Sequence, residues 1–316
     1  MTSPIYKSHP DLDYTTIKPI QFSMKRILTI YIILLCVVSL PAQKAPVGIT
    51  LSGGGALGFA HIGVLQALED NGIHPEIVSG TSMGALVGAM YANGLTPLDI
   101  FEMVKTEQLY RITSFSNISL RNTYDLLGVS SQDKLHKILL KYLPHNSFDS
   151  LKMPFYCCAT NLTKECEVIR HTGGHLVEYL QGSSCIPGFF APTVIDGDLH
   201  IDGGIYNNLP AQPIRPRCTV LIAVDVNAAE NRKPVSNMGG VLTRALSLLI
   251  YENTHEGRKM ADYVISVPVN HDYTTTDFNK FYAIYQIGYR TGLEFVQSHP
   301  KLMRDIAAAQ KASHRR

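Results

Sequence analysis

Residues 47–94 read VGITLSGGGALGFAHIGVLQALEDNGIHPEIVSGTSMGALVGAMYANG, and this stretch decides the fold. Residues 47–51 are apolar and partly β-branched, the signal of a buried strand. Gly53, Gly54 and Gly55 follow, where the backbone can turn without Cβ clashes. His61, Val64, Leu65 and Leu68 then recur at helical spacing, which predicts a helix over 56–70 ending at Asn71-Gly72. A second short strand, 76–79, leads into Gly80-Thr81-Ser82-Met83-Gly84, and Leu86, Val87, Met90 and Tyr91 carry a second helix to Asn93-Gly94. Strand–turn–helix, twice over, is how an α/β chain places backbone N–H groups and a nucleophile at one edge of a sheet.

The first turn admits two functional readings. Gly53-x-Gly55-x-x-Gly58 fits the GxGxxG pattern of dinucleotide binding, which would make the protein a nucleotide-dependent oxidoreductase. The same N–H groups at a helix start attract negative charge and would equally serve as an oxyanion hole. A third, plainer reading is close strand–helix packing. The second turn decides between them. Gly-x-Ser-x-Gly between a strand and a helix is a nucleophile elbow, in which Gly80 and Gly84 tolerate the bend that exposes the Ser82 hydroxyl. A nucleotide site would want an acidic residue at the end of the second strand, not a serine on a bend.

LSGGGALGFAHIGVL followed by GTSMGALVGA resembles the patatin-like phospholipase family. That family pairs its elbow serine with an aspartate in an Asp-Gly-Gly or Asp-Gly-Ala motif and uses no catalytic histidine. This chain has Leu199-His200-Ile201-Asp202-Gly203-Gly204, and the preceding SSCIPGFFAP, residues 183–192, is similar to the family's segment before that motif. The resemblance covers residues 47–227 with specific motifs. It implies a three-layer α/β/α sandwich with a mostly parallel central sheet, and a Ser82–Asp202 dyad. It also implies an oxyanion hole from Gly53, Gly54 and Gly55, an aspartate turn made by Gly203 and Gly204, and no metal or organic cofactor. The expected reaction is hydrolysis of a phospholipid or other lipid ester at a membrane surface. One departure stands out: where the family usually carries Arg or Lys in the glycine turn, this chain has Leu57. A lipid-binding protein with little or no turnover is the alternative that Leu57 favours.

The hairpin signal of residues 193–201 turns at Asp196-Gly197, so Asp196 and Asp198 read as turn residues and Asp202 as the strand-end carboxylate. Asp225 is the rival: it ends the strand 220–226 and would need a histidine such as His255 or His271. Between elbow and aspartate, Thr96-Pro97 starts a helix, and residues 112–130 read as a loop that could cover the site. Residues 132–143 form an amphipathic helix, while 155–160 and 167–171 are paired strands. His171 and His175 flank Gly173-Gly174 in what reads as a surface hairpin. Beyond 227, the pattern gives one long helix over 240–261, a strand over 264–267, an aromatic-rich helix over 278–298 and a last helix from Lys301.

The chain's 316 residues, 45% hydrophobic and 17% charged, suit a globular domain with a sizeable core. Of its 28 Lys and Arg and 26 Asp and Glu, four and two respectively fall in residues 1–42, leaving 24 of each. A neutral domain without basic runs offers no footprint for nucleic acid. Residues 24–42, MKRILTIYIILLCVVSLPA, have a basic start, an apolar run shorter than a bilayer span and a small residue at Ala42. They read as a secretory signal peptide, with residues 1–23 as a translated leader and an uncleaved anchor as the alternative. The expected domain is therefore 43–316, exported to a bacterial periplasm or outer membrane or secreted. Cys157, Cys158, Cys166, Cys185 and Cys218 remain, an odd number with no CxxC or HExxH spacing, so free thiols are expected rather than a zinc site. The oligomeric state has no signature in the sequence.

Overall fold

The computed structural model describes residues 44–111, 132–227 and 238–313. The leader and signal peptide and the loop over 112–130 lie outside the described residues.

The organising stretch folds as β1 (Ala45–Leu51), α1 (Phe59–Asp70), β2 (Ile77–Thr81) and α2 (Met83–Ala92). A 3₁₀ turn, Gly55–Gly58, precedes α1, so the helix proper starts later than periodicity suggests. The tight Leu57 N–H to Gly54 O bond, 3.1 Å, makes that first turn too narrow for an α-helix. Next come α3 (Pro97–Thr106), with Pro97 in its first turn and a Thr96/Asp99 capping box, and the amphipathic α4 (Asp133–Tyr142). Then follow β3 (Phe155–Asn161), β4 (Cys166–Arg170), α5 (Leu176–Ser183), β5 (Thr193–Ile195), β6 (Asp198–Asp202) and β7 (Cys218–Asp225). The chain ends with α6 (Met238–Glu252), α7 (His255–Met260), β8 (Tyr263–Ser266), α8 (Phe281–Ser298) and α9 (Pro300–Ser313).

The predicted single helix over 240–261 is two helices. Asn253 breaks it: its side-chain amide donates to the carbonyls of Gly204 and Ile205 at 3.0 and 2.8 Å. Its own carbonyl accepts from the Asn208 N–H at 3.0 Å. A side chain and a carbonyl turned to distant backbone cannot also continue a helix.

The strands form a mixed, mostly parallel sheet in the order β5-β6-β3-β2-β1-β7-β8, with β4 paired to β3. β1 lies parallel to both β2 and β7, β2 to β3, and β7 to β8; the hairpin partners of β3 and β6 are antiparallel. Alternation along the strands divides the core. Val47, Ile49, Leu51, Val78, Phe155, Cys157, Val220, Ile222 and Val224 join the larger cluster, with the helical residues of α1, α2, α3 and α5. Ile77, Tyr156 and Leu221 face the other way, onto Ala211 and Ile214 of the segment after β6, where Cys218 at the start of β7 joins them. Within β2, β3 and the body of β7, successive side chains thus enter opposite layers, as a sheet covered on both faces requires.

β3 sets the geometry that matters for function. β2 pairs with β3 from Phe155 to Cys158, and β6 pairs with it from Ala159 to Asn161. β4 pairs with residues of both spans, so β2 and β6 must share the other edge of β3. They run along it head to head: Thr81 lies opposite Cys158 and Asp202 opposite the next residue, Ala159. The residue after β2 is Ser82.

Candidate active site

Ser82 has φ 54° and ψ −125°, a conformation that side chains with a Cβ seldom adopt. Such strain, of order 1–3 kcal/mol, persists only where neighbours enforce it. Here the Ser82 N–H donates to Ser183 Oγ at 2.8 Å, and that hydroxyl donates to the Cys158 carbonyl at 2.6 Å. On the other side, the Ser82 carbonyl accepts from the N–H groups of Ala85 and Leu86. The bend is so tight that a Cβ on Gly80 would sit 2.5 Å from the Gly84 carbonyl oxygen, and one on Gly84 would sit 2.5 Å from that of Ser52. Only glycine fits either place.

The Ser82 hydroxyl donates to Asp202 Oδ2 at 2.6 Å, and both residues are 4% exposed. The other carboxylate oxygen, Oδ1, accepts from the Gly204 N–H at 2.8 Å. The backbone of Asp202 is clamped as well: its N–H donates to the Cys185 carbonyl and its carbonyl accepts from Thr160 Oγ1, both at 2.9 Å. Gly203 passes so close to β3 that a Cβ would lie 2.8 Å from the Cys158 carbonyl carbon. Burial pushes the Asp202 carboxyl up to about 6, against the opposing pull of the Ser82 and Gly204 hydrogen bonds. Asp198, by contrast, is held by Lys164 at 2.5 Å and Asn161 at 2.9 Å, away from the serine.

The glycine turn lies beside the elbow because Leu51, the last residue of β1, pairs with Gly80. Of the three glycines expected to offer N–H groups, Gly53 does not: its N–H donates to the Asn208 carbonyl at 3.1 Å. Its carbonyl accepts from the Asn227 side chain at 2.6 Å. In a trans peptide the next N–H points the opposite way, so that bond turns the Gly54 N–H away from Asn227. The N–H groups of Gly54 and Gly55 make no hydrogen bond among the described residues. Gly55 has φ +54°, and the Ala56 N–H beyond it donates to the Thr275 carbonyl at 2.9 Å. The turn is thereby pinned at both ends and left open in the middle. Leu57 is buried at 3% exposure within the large core, so no charge enters the turn from that position.

Gly54, Gly55, Ser82 and Asp202 line one cavity of about 90 Å³ that opens at its mouth. Its walls are apolar: Ile186, Phe189, Phe190, Leu246, Ile250 and Phe278. Asn208 also lines it.

Beside the turn lies a polar cluster of which the sequence singles out Asp225 but not its partners. Asp225, wholly buried, pairs with Arg258 at 2.6 Å and accepts from the Asn227 N–H at 2.8 Å. That engages the rival carboxylate, and His255 faces Glu252 at 3.2 Å instead. His61 is wholly buried with Nε2 2.8 Å from the Ser52 carbonyl, and burial lowers it to about 4, so the ring is neutral. His171 stacks on Tyr156, their centroids 4.5 Å apart, and His175 stands in a left-handed conformation just before α5, with no side-chain bond to the helix end. Among the described residues the cysteines are unpaired: Cys157, Cys158, Cys185 and Cys218 are buried and Cys166 is half-buried. Among the described residues, no helix is long and apolar enough to cross a membrane.

Comparison with known proteins follows the same motifs. The patatin-like phospholipase family model matches residues 49–214. The lysophospholipase NTE1 of Kluyveromyces lactis is 30% identical over 278 residues, covering 79% of this chain and 19% of its own length. That of Saccharomyces cerevisiae is also 30% identical over 278 residues, with 79% and 16% covered. The chain therefore spans less than a fifth of the length of these curated relatives. Among solved structures, VipD from Legionella pneumophila aligns over 81% of this chain and 67% of its own at 16% identity, with a TM-score of 0.47. Human GIVD cytosolic phospholipase A2 aligns over 89% and 62% at 13% identity, with a TM-score of 0.40. The family match takes in the end of β1, the glycine turn, the serine elbow and the Asp-Gly-Gly turn, more than half of the chain in all, and the chain belongs to the patatin-like phospholipase family.

Proposed function

We propose that this protein is a serine lipid acyl hydrolase, a carboxylic ester hydrolase of the phospholipase or lysophospholipase kind, with Ser82 as nucleophile and Asp202 as its base. The observation that carries this reading is the 2.6 Å bond from the Ser82 hydroxyl to a buried carboxylate in an apolar cavity. The sequence of events is short. Asp202 takes the Ser82 proton as Oγ attacks the ester carbonyl carbon, and the oxyanion accepts from the Gly54 and Gly55 N–H groups. The tetrahedral intermediate collapses, the carbon–oxygen bond to the alcohol breaks, and Asp202 returns the proton to the departing alkoxide. Water then attacks the acyl-serine, giving its proton to Asp202, and collapse restores the Ser82 hydroxyl and releases the fatty acid. A carboxyl raised to about 6 is ionised at neutral pH yet a better base than an exposed aspartate.

The apolar walls suit an acyl chain, and the relatives named lysophospholipase point to single-chain phospholipids. α6 supplies Leu246 and Ile250 to the cavity and leaves Met238, Val241, Leu242 and Leu249 exposed, an apolar flank suited to a lipid surface. The signal-like residues 24–42 make the envelope or the exterior of a bacterium the proposed address. The test is hydrolysis of p-nitrophenyl esters, lysophospholipid micelles and phospholipid vesicles by the wild type, Ser82→Ala and Asp202→Asn. Equal turnover by all three defeats the dyad. Vesicle binding without turnover by the wild type would favour the lipid-binding alternative that Leu57 suggests.

A further inference from the structure

We propose that Asn208 is a further catalytic residue, whose side-chain amide donates to the developing oxyanion beside the Gly54 and Gly55 N–H groups. The inference rests on the hydrolase reading above and adds a donor to it. Asn208 lines the Ser82–Asp202 cavity and is 1% exposed. Its side chain makes no hydrogen bond among the described residues, and its Nδ2 is buried without a partner. Leaving a buried amide unsatisfied costs about 1–3 kcal/mol, so a partner that arrives with the substrate accounts for it economically.

The position of the amide fits the task. A Cβ built on Gly53 would lie within 3.0 Å of both the amide terminus and Ser82 Cβ, so those two are at most twice that far apart. A Cβ built on Gly204 would lie 2.9 Å from the same amide oxygen and 3.1 Å from Asp202 Oδ1. The amide thus sits between the serine side and the aspartate side of the site. Nothing holds its oxygen in place, and turning about the Cβ–Cγ bond exchanges oxygen for NH₂. An ionised Asp202 accepts only, so its field favours the NH₂ toward the reacting atoms, as does a developing oxyanion.

The backbone of Asn208 is anchored on both sides. Its N–H donates to the Asn253 carbonyl at 3.0 Å, and its carbonyl accepts the Gly53 N–H at 3.1 Å. The bond that withdraws Gly53 from the oxyanion hole is therefore the bond that carries the Asn208 side chain to its edge. The anchored backbone fixes where the amide sits, and a turn about the Cβ–Cγ bond is the one adjustment that brings its NH₂ to the oxyanion.

The experiment compares wild type, Asn208→Ala, Asn208→Leu and Ser82→Ala on a p-nitrophenyl ester, with competent sites counted by a fluorophosphonate titrant. Leucine has nearly the shape of asparagine without its donor, so it preserves packing where alanine leaves a gap. The expected result is a fall in kcat per titrated site of about 10²–10³-fold in both Asn208 variants, with KM changed only a few-fold. A structural role alone would reduce the titrated fraction or the melting temperature and leave kcat per site unchanged; that outcome overturns the inference. If Ser82→Ala retains wild-type turnover, the hydrolase reading fails and this inference fails with it. If Ser82→Ala is inactive while both Asn208 variants match the wild type, only the inference falls.

Discussion

Asp202→Asn should make the protein both inactive and more stable. The wild-type carboxyl is buried and raised from 3.8 to about 6 in the folded chain. At 1.36 kcal/mol per pH unit, that difference amounts to about 3 kcal/mol of unfavourable free energy for holding the carboxylate ionised. Between about pH 4 and 6 the folded state binds more protons than the unfolded chain, so stability falls as pH rises through that window. The cost is complete above about 6 and absent below about 4. Asparagine carries no charge and can still meet both neighbours, its oxygen accepting from Gly204 and its amide donating to Ser82. At pH 8 the variant should be more stable by up to about 3 kcal/mol, or roughly 6–12 °C in melting temperature for a domain of this size. At pH 4 the advantage should vanish. Turnover should drop about 10²–10⁴-fold, the usual contribution of a general base. Melting curves of both proteins at pH 4, 6 and 8, with ester hydrolysis at pH 8, make the assay. A variant no more stable at pH 8 than at pH 4, relative to wild type, would refute the argument that burial dominates this carboxyl.

Other consequences can be checked alongside. The kcat/KM of the wild type should fall about tenfold per pH unit below about 6, as Asp202 protonates in the free enzyme, and a pH–rate profile with its limb near 4 would disagree. Ser183→Ala removes the bridge between the Ser82 N–H and the Cys158 carbonyl, and should destabilise by about 1–3 kcal/mol in urea unfolding while lowering kcat. Arg258→Ala leaves Asp225 buried without its cation and should cost about 3–5 kcal/mol, read from the urea midpoint. Gly84→Ala sets a methyl group against the Ser52 carbonyl, and should yield little folded protein by near-UV circular dichroism.

The strands, helices and turns of residues 47–94 were legible because they obey local periodicities of two and 3.6 residues, punctuated by glycine. The hairpin ending at Asp202 was legible for the same reason. What periodicity cannot supply is the distance between two such segments. Ser82 and Asp202 meet because β2 and β6 end on adjacent residues of one edge of β3, a register fixed by pairings far apart in the chain. The same limit hid Ser183, Asn227 and Asn208, whose side chains face groups many tens of residues away. It also hid the engagement of the Gly53 N–H, since a triple glycine looks like three equal donors until Asn208 is seen beneath it. The residues after Asp-Gly-Gly, Ile205-Tyr206-Asn207-Asn208-Leu209-Pro210, carried the signal as two adjacent polar amides in a segment that had to enter the core. The break at Asn253 escaped for a related reason: its helical neighbourhood is ordinary, and only its bonds to Gly204, Ile205 and Asn208 interrupt the helix.

The most direct measurement is covalent. The purified protein is treated with a fluorophosphonate, digested, and its peptides mapped by mass spectrometry, with Ser82→Ala beside it. The account predicts one adduct per chain, on the Ser82 hydroxyl, absent from the variant. An adduct on another residue, or lipid ester hydrolysis undiminished in Ser82→Ala, would contradict it.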